Sequence, residues 1–181
     1  MMKHYDCIVV GAGHAGIEAA LAPSRMGCST LMVNISFETI GEMSCNPAIG
    51  GVGKGQLVKE VDALGGEMGK AADATAIQFR QLNVSKGAAV RSSRCQSDRK
   101  RYRLYMQNAI SHQKNLDFKQ AKISEILVEG GEVVGVRTED NETMHAKTVI
   151  LTPGTFLNGK IHIGPKTFPA GRINEPNSTR L

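Results

Sequence analysis

The sequence predicts an α/β fold built on a parallel sheet, and three observations predict it. Asp6–Val10 is a short, β-branched, mostly apolar run, the composition of a strand buried on both faces. Gly11-Ala12-Gly13-His14-Ala15-Gly16 follows at once and fills a G-x-G-x-x-G pattern, after which Ile17–Ala22 opens a helix. Thr148–Thr152 (TVILT) repeats the buried-strand composition near the other end of the chain. Strand, glycine turn and helix in that order make a dinucleotide-binding crossover.

Glycine is needed for a different reason at each position of the motif. Gly11 allows the tight turn out of the strand, Gly13 lets the backbone approach a pyrophosphate, and Gly16 lets helix and strand pack closely. The helix N-terminus adds unpaired N–H groups and a partial positive charge aimed at the phosphates. Residues 11–16, with Ala12, His14 and Ala15 between the glycines, are therefore candidate cofactor-binding positions.

The first helix is expected from about Ala15 to Met26, ending at Gly27, with Pro23 removing one N–H and kinking its last turns. Ser29–Val33 is the second strand. In this fold its end carries an acid for the adenosine ribose, about 20 residues beyond the glycines. Asn34 occupies that position, and Glu38 and Glu42 come later. Asn34 is the candidate ribose contact, as an amide in place of a carboxylate.

Ile35–Gly55 reads as a long loop with five glycines, of the kind that is functional or disordered. Its GGVGKG segment does not match a phosphate-binding P-loop. Ala48 stands where the first glycine belongs, and Gly55 where Ser or Thr would follow Lys54. A nucleoside triphosphatase is excluded.

Gln56–Leu64 has Leu57, Val58, Val61 and Leu64 at helical spacing, stopped by Gly65-Gly66. Ala76–Leu82 reads as a strand. Ser97 is expected to cap a helix over Asp98–His112, with Tyr102, Tyr105, Met106 and Ala109 on its buried stripe. Phe118–Ile123 and Ile126–Glu129 read as strands, the latter pairing through Gly130-Gly131 with Val133–Thr138 as a hairpin. Thr143–Ala146 adds a third strand to that antiparallel meander. Pro153-Gly154 closes the final parallel strand, and Gly154 is a further candidate cofactor-binding position.

A chain of 181 residues with 22% charged and 41% hydrophobic residues is a globular domain with its own core. No apolar run is long enough to span a bilayer, and no signal peptide precedes the first strand. Cys7, Cys28, Cys45 and Cys95 show no CxxC pairing and the five histidines form no cluster, so neither a metal site nor a disulfide framework is predicted. Cys7 and Cys28 read as core thiols. These features predict a cytoplasmic protein with no membrane partner. The net charge of +5 is unevenly spread. Arg80, Lys86, Arg91, Arg94, Arg99, Lys100, Arg101 and Arg103 face the single acid Asp98 within one segment, a local balance of +7 that leaves the rest at −2. Such a block suggests nucleic acid as partner.

Several segments resemble one known family. GAGHAG, then Met43-Ser44-Cys45-Asn46-Pro47-Ala48-Ile49-Gly50-Gly51 and Lys59–Gly66, closely resemble the MnmG family, also called glucose-inhibited division protein A. Ser85-Lys86-Gly87, Gln96–Arg99 and Leu151–Gly164 (LTPGTFLNGKIHIG) extend the resemblance over essentially the whole chain. The resemblance implies a Rossmann-like FAD-binding domain of the glutathione-reductase type, a parallel sheet with a small antiparallel β-meander. It implies modification of a tRNA wobble uridine, with an aminomethyl or carboxymethylaminomethyl group installed at C5. FAD, NADH and a methylene-folate donor are the implied cofactors, and an MnmE-type GTPase, tRNA and a second copy in a full-length homodimer the implied partners. By position, Gly11–Gly16 hold the FAD pyrophosphate, Ile123 meets the adenine through its backbone, and Ser178 is a further flavin contact.

Cys45 lies in the loop that the resemblance places beside the isoalloxazine. It is the one cysteine in a glycine-rich loop, where neighbouring backbone N–H groups can stabilise a thiolate. It is the candidate catalytic residue, as nucleophile or proton carrier. Lys86, Arg91, Arg94, Arg99, Lys100, Arg101 and Arg103 are the candidate tRNA-binding residues. Family members run several hundred residues further, so residues 1–181 are expected to be the N-terminal part of an FAD-binding domain, without the nicotinamide-binding insertion and the C-terminal helical region. The alternatives are a folate-dependent tRNA uridine methyltransferase-like flavoprotein, against which CNPAIGG argues, and a catalytically inactive FAD-binding fragment.

Overall fold

A computed structural model describes residues 3–181. Its main sheet has six strands in the order β6-β2-β1-β9-β8-β7: β1 is His4–Val10, β2 Thr30–Asn34, β6 Leu116–Gln120, β7 Ile123–Glu129, β8 Glu132–Thr138 and β9 Thr143–Leu151. β6, β2, β1 and β9 run parallel, and β7, β8 and β9 form an antiparallel meander continuous with them. The predicted parallel sheet and meander are therefore one sheet. Thr143–Ala146 and Thr148–Thr152, expected as two strands, are a single strand that pairs with β8 at one end and with β1 along most of its length. The strand expected over Phe118–Ile123 splits, with β6 ending at Gln120 and Ile123 opening β7.

Alternation along β1 assigns its side chains to two cores. Cys7 and Val9 pack with Met32 against α1 (His14–Arg25) and α4 (Arg99–Ser111). Ile8 packs on the opposite face with Leu31, Val33, Val136 and Met144. Cys7 is a core thiol, whereas Cys28 sits half-buried beyond the end of α1. Helix α1 runs through Pro23 to Arg25. Proline near the last turn loses a bond that fewer residues depend on than at mid-helix. In α4 the buried stripe is Tyr102, Met106 and Ile110, with Tyr105 and Ala109 at its border. Asp98, not Ser97, caps this helix: its Oδ1 accepts from the Arg101 N–H at 2.9 Å, while Ser97 ends the preceding strand.

A second, three-stranded antiparallel sheet was not predicted. β3 (Ala48–Gly50) and β4 (Ala76–Leu82) flank β5 (Ser92–Ser97). β3 and a 3₁₀ turn over Phe37–Thr39 give structure to the supposed loop Ile35–Gly55, and α2 (Lys54–Ala63) starts two residues earlier than expected. Leu57 and Leu64, read as part of an apolar stripe, are exposed. A short helix, α3 (Met68–Ala74), and a hairpin of β10 (Lys160–Ile163) and β11 (Lys166–Pro169) complete the elements. No helix is long and apolar enough to cross a membrane.

Three helices are joined by a buried polar knot. The Glu18 carboxylate of α1 accepts from the N–H groups of Glu67 (2.9 Å) and Met68 (2.6 Å), capping α3 from another helix. Glu67, 6% exposed, accepts in turn from Arg25 Nη2 at 2.5 Å and the Tyr105 hydroxyl at 2.8 Å. Burial alone would raise the Glu67 pKa, but these two donors and the nearby charges of Arg25 and Lys70 outweigh it and hold it below the ordinary value of 4.5. The carboxylate's stabilisation is complete above that ordinary value and is lost as the pH falls through the depressed one. Glu67→Gln should therefore cost about 1.5–3 kcal/mol near neutrality, the range for a hydrogen bond to a charged group. It should also flatten the acid limb of the stability–pH curve. Denaturant melts of both proteins across that pH range check both outcomes, and superimposable curves would show that the knot contributes nothing.

Candidate functional site

The three motif glycines have three different surroundings. Gly11 leaves β1 at φ +104, and a Cβ there would lie 2.4 Å from the Thr152 carbonyl oxygen. A Cβ on Gly16 would lie 2.0 Å from the Gly11 carbonyl oxygen, so the helix can approach the strand only without one. Around Gly13, the N-cap of α1, a Cβ would meet nothing within 4 Å. No side chain caps α1, which leaves its first-turn N–H groups for whatever enters the space beyond Gly13. Thr152, at the end of β9, braces the turn by donating its hydroxyl to the Val10 carbonyl at 2.9 Å.

That space is a cavity of about 230 Å³ at the carboxyl ends of β1, β2 and β9. Gly11, Ala12, Gly13, His14, Asn34, Ile123, Gly154 and Ser178 all line it, although they come from five separate parts of the chain. Ala15 and Gly16 do not; Gly16 acts by packing and Ala15 is the next residue of the helix. Three wall residues hold buried polar atoms without a hydrogen-bond partner among the described residues: Nδ1 of His14, Nε of Arg172 and Oγ of Ser178. Unpaired buried polar atoms are rare in native folds, and their presence on one cavity wall fits a polar occupant. Burial, reinforced by the Lys54 charge, depresses the His14 pKa to about 4, so its ring is neutral at pH 7 and offers hydrogen bonding without charge. A helix N-terminus, a neutral imidazole and a hydroxyl around a glycine-floored cavity fit a dinucleotide.

Asn34 lies on the cavity wall as expected, with its Nδ2 tied to its own loop. Its Nδ2 donates to the Ser36 carbonyl at 2.7 Å and to Thr39 Oγ1 at 3.0 Å, so the amide is turned into its own loop. Sequence reasoning did not assign Ser44, Thr152 or Glu42 to the wall. Of these, Glu42 had a signal, as an acid following the second strand.

Cys45 is exposed, just outside this wall; its neighbour Ser44 lines the cavity and Cys45 does not. Arg99 Nη2 donates a long hydrogen bond to the Cys45 carbonyl at 3.5 Å. Lys54, the first residue of α2, folds back so that Nζ donates to the Ala48 carbonyl at 3.1 Å. Burial lowers the Lys54 pKa against the opposing pull of Cys45, which places its ammonium within electrostatic reach of the thiol.

The basic block divides in two. Arg99, Lys100 and Arg101 are exposed in the first turn of α4, which contains no acid. The Asp98 carboxylate that caps α4 offsets part of this charge and leaves a net positive first turn exposed to solvent. Lys86 and Arg91 are exposed on the connection into β5, and Arg94 is half-buried within that strand. Arg103 is not on this face: it is half-buried, and Nη1 donates to Glu42 Oε2 at 3.0 Å.

The profile of a family described as glucose inhibited division protein A matches residues 6–181. The tRNA uridine 5-carboxymethylaminomethyl modification enzyme MnmG of Desulfotalea psychrophila is 55% identical over 181 residues, covering 100% of this chain and 28% of that protein. The enzyme of the same name from Geotalea uraniireducens is 57% identical over 179 residues, covering 99% and 29% respectively. The crystal structure of Aquifex aeolicus GidA (form I) superposes with a TM-score of 0.94 at 55% identity, over 99% of this chain and 30% of that one. A GidA-related protein from Thermus thermophilus shares the fold, with a TM-score of 0.70 at 20% identity. This chain thus spans less than a third of the length of the curated relatives it matches. With a profile match over nearly its full length and the Rossmann-like architecture of the Aquifex protein, the chain belongs to the glucose inhibited division protein A family.

Proposed function

We propose that this chain is the N-terminal, FAD-binding part of an enzyme that adds an aminomethyl or carboxymethylaminomethyl group at C5 of a tRNA wobble uridine. The observation that carries the proposal is the 53–57% identity, along essentially the whole chain, to enzymes named for that modification. An MnmE-type GTPase is the partner, and a nicotinamide-binding segment, a helical region and homodimer contacts belong to the remainder of the longer enzyme. Bound FAD supplies the redox chemistry that links NADH to the methylene unit of a folate donor. The chain's own residues bind and orient. The α1 N–H groups beyond Gly13 offset the pyrophosphate charge, His14 and Ser178 complete their hydrogen bonding on the cofactor, and Ile123 and Gly154 present backbone and close-approach surface.

Cys45 supplies a thiol at the outer edge of the flavin wall, as nucleophile toward the pyrimidine or as proton carrier near C5. Lys54 and Arg99 add positive charge to this loop, which suits a nearby phosphate. The exposed cations Lys86, Arg91, Arg99, Lys100 and Arg101, with Arg94 beside them, form the tRNA-facing surface.

Flavin content tests the cofactor reading. Gly13→Ala should leave stability within about 1 kcal/mol, because the added methyl meets no protein atom, yet weaken FAD binding at least about tenfold by occupying the pyrophosphate's place. Titration of the purified protein followed at the flavin absorbance bands measures this, and unchanged affinity would remove the glycine loop from the cofactor site. For the thiol, Cys45→Ser in a full-length enzyme should keep FAD and lower tRNA modification by roughly 10²–10⁴-fold, the contribution of a positioned proton carrier or more. Near-normal turnover would make Cys45 structural. On the basic face, Arg99→Ala/Lys100→Ala/Arg101→Ala should reduce the salt dependence of tRNA binding by roughly one unit of log–log slope per lost phosphate contact. A slope equal to wild type would take α4 off the tRNA surface.

A further inference from the structure

Glu42 is a half-buried carboxylate on the wall of a cavity whose other contacts suit a dinucleotide, and nothing above uses it. Its placement follows from the residues around it. The Asn34 Nδ2 at the end of β2 donates to Ser36 and Thr39, which tightens the turn after the strand. Glu42 N–H then donates to the Thr39 carbonyl at 3.2 Å, and Gly41 N–H to the Ala12 carbonyl at 3.0 Å, strapping the segment onto the glycine loop. Gln107 of α4 holds the same turn from outside, its Nε2 donating to the Glu38 carbonyl at 3.0 Å. The result sets the Glu42 side chain on the wall shared by Asn34 and Thr39, beside the motif.

Arg103 reaches Glu42 from α4 but engages only one of its oxygens. Nη1 donates to Oε2 at 3.0 Å, leaving Oε1 without a protein partner among the described residues. A carboxylate accepts hydrogen bonds and cannot donate them, so it repels a phosphate and attracts hydroxyls. Among the groups of a dinucleotide bound at this glycine loop, the one expected at the end of the second strand is the adenosine ribose, whose vicinal diol presents two donors. The guanidinium fixes the carboxylate's rotamer and offsets its charge, which keeps an acid tolerable close to a pyrophosphate.

We propose that Glu42, oriented by Arg103, is the carboxylate that hydrogen-bonds the adenosine ribose of the cofactor, in place of the acid that this fold carries at the position of Asn34. Asn34 becomes the residue that shapes the turn, and Arg103 a positioning residue for cofactor binding instead of a tRNA contact. The inference rests on the FAD reading of the site. It gives the chain a specificity element for the dinucleotide over the mononucleotide form of flavin.

The test compares FAD with an FAD analogue lacking the 2′- and 3′-hydroxyls of the adenosine ribose, with dissociation constants measured by calorimetry. Wild type should prefer FAD about tenfold or more, the range for hydrogen bonds to a charged acceptor. Glu42→Ala should reduce that preference to within about twofold, mainly by weakening FAD and not the analogue. Arg103→Met, which frees the carboxylate but keeps it, should lower the preference by a smaller factor. Should Glu42→Ala fail to fold, Glu42→Gln supplies the reading, because a neutral acceptor should retain only part of the preference. An undiminished preference in the Glu42 variants, or an equal loss for both ligands, overturns the assignment. If wild type binds FAD but does not distinguish it from the analogue, this inference alone falls; if wild type does not bind FAD at all, the reading of the site falls with it.

Discussion

The contact on which the rest of the structure depends is the backbone approach of α1 to the end of β1. Gly16 stands so close to the Gly11 carbonyl that a methyl group would lie 2.0 Å from its oxygen, and Thr152 presses on the same turn from β9. Because these elements touch backbone to backbone, the first-turn N–H groups of α1 open directly onto the cavity and not into a side-chain layer. Thr152 is 142 residues from the Val10 carbonyl that its hydroxyl joins. The glycine loop is thus local in sequence but completed by a distant strand, and a chain that has formed β1 and α1 alone does not yet have the site. Non-local closure of this kind couples ligand binding to the whole sheet, so a ligand bound at the loop stabilises the fold globally.

Helix α4 carries the coupling between parts that would otherwise be separate. Its buried stripe of Tyr102, Met106 and Ile110 packs in the core shared with α1 and β1. From the same helix Tyr105 reaches Glu67 in the polar knot, Arg103 reaches Glu42 on the cavity wall, and Arg99 reaches the Cys45 carbonyl. One of the cations that made the block look like a uniform surface, Arg103, is therefore engaged inward, and charge counting alone could not separate it from the exposed Arg99, Lys100 and Arg101 one turn earlier. An arginine on an amphipathic helix serves either face, and only the position of its acceptor decides which.

Legibility of the sequence tracks the origin of each signal. β1, α1, β2 and the β7–β8 hairpin were readable because their own residues carry period, glycine and β-branching. The sheet of β3, β4 and β5 was readable only at β4, which matches the strand expected over Ala76–Leu82; Ser92–Ser97 (SSRCQS) has no apolar alternation and Ala48–Gly50 is only three residues long. The division of Thr143–Leu151 into two strands followed its composition, whereas one continuous ladder with β1 overrides the interruption at Lys147. The cap of α4 was misplaced by one residue because Ser97 and Asp98 are both good capping residues, and the pairing of Ser97 in β5 leaves the role to Asp98. Of the candidate cavity positions, all outside the helix body were placed on the wall, and the motif together with strand order accounts for that. The Arg103–Glu42 pair and the Asn34 turn are side-chain geometry between distant elements, which no local pattern records.

At Ser44 and Cys45 the cavity lining passes directly into exposed chain. Ser44 faces the cavity and Cys45 is exposed, and the segment is pinned on one side by the Gly41–Ala12 hydrogen bond and on the other by Arg99. Residues 44 and 45 thus lie between the cavity and the exposed cations of α4. This geometry separates the requirements of the two ligands. The dinucleotide needs a glycine floor and neutral hydrogen-bonding groups, which His14 supplies by being held uncharged. Exposed cations such as those in the first turn of α4 suit a polyanion. Cys45 is the exposed thiol at this boundary, next in sequence to the cavity-lining Ser44.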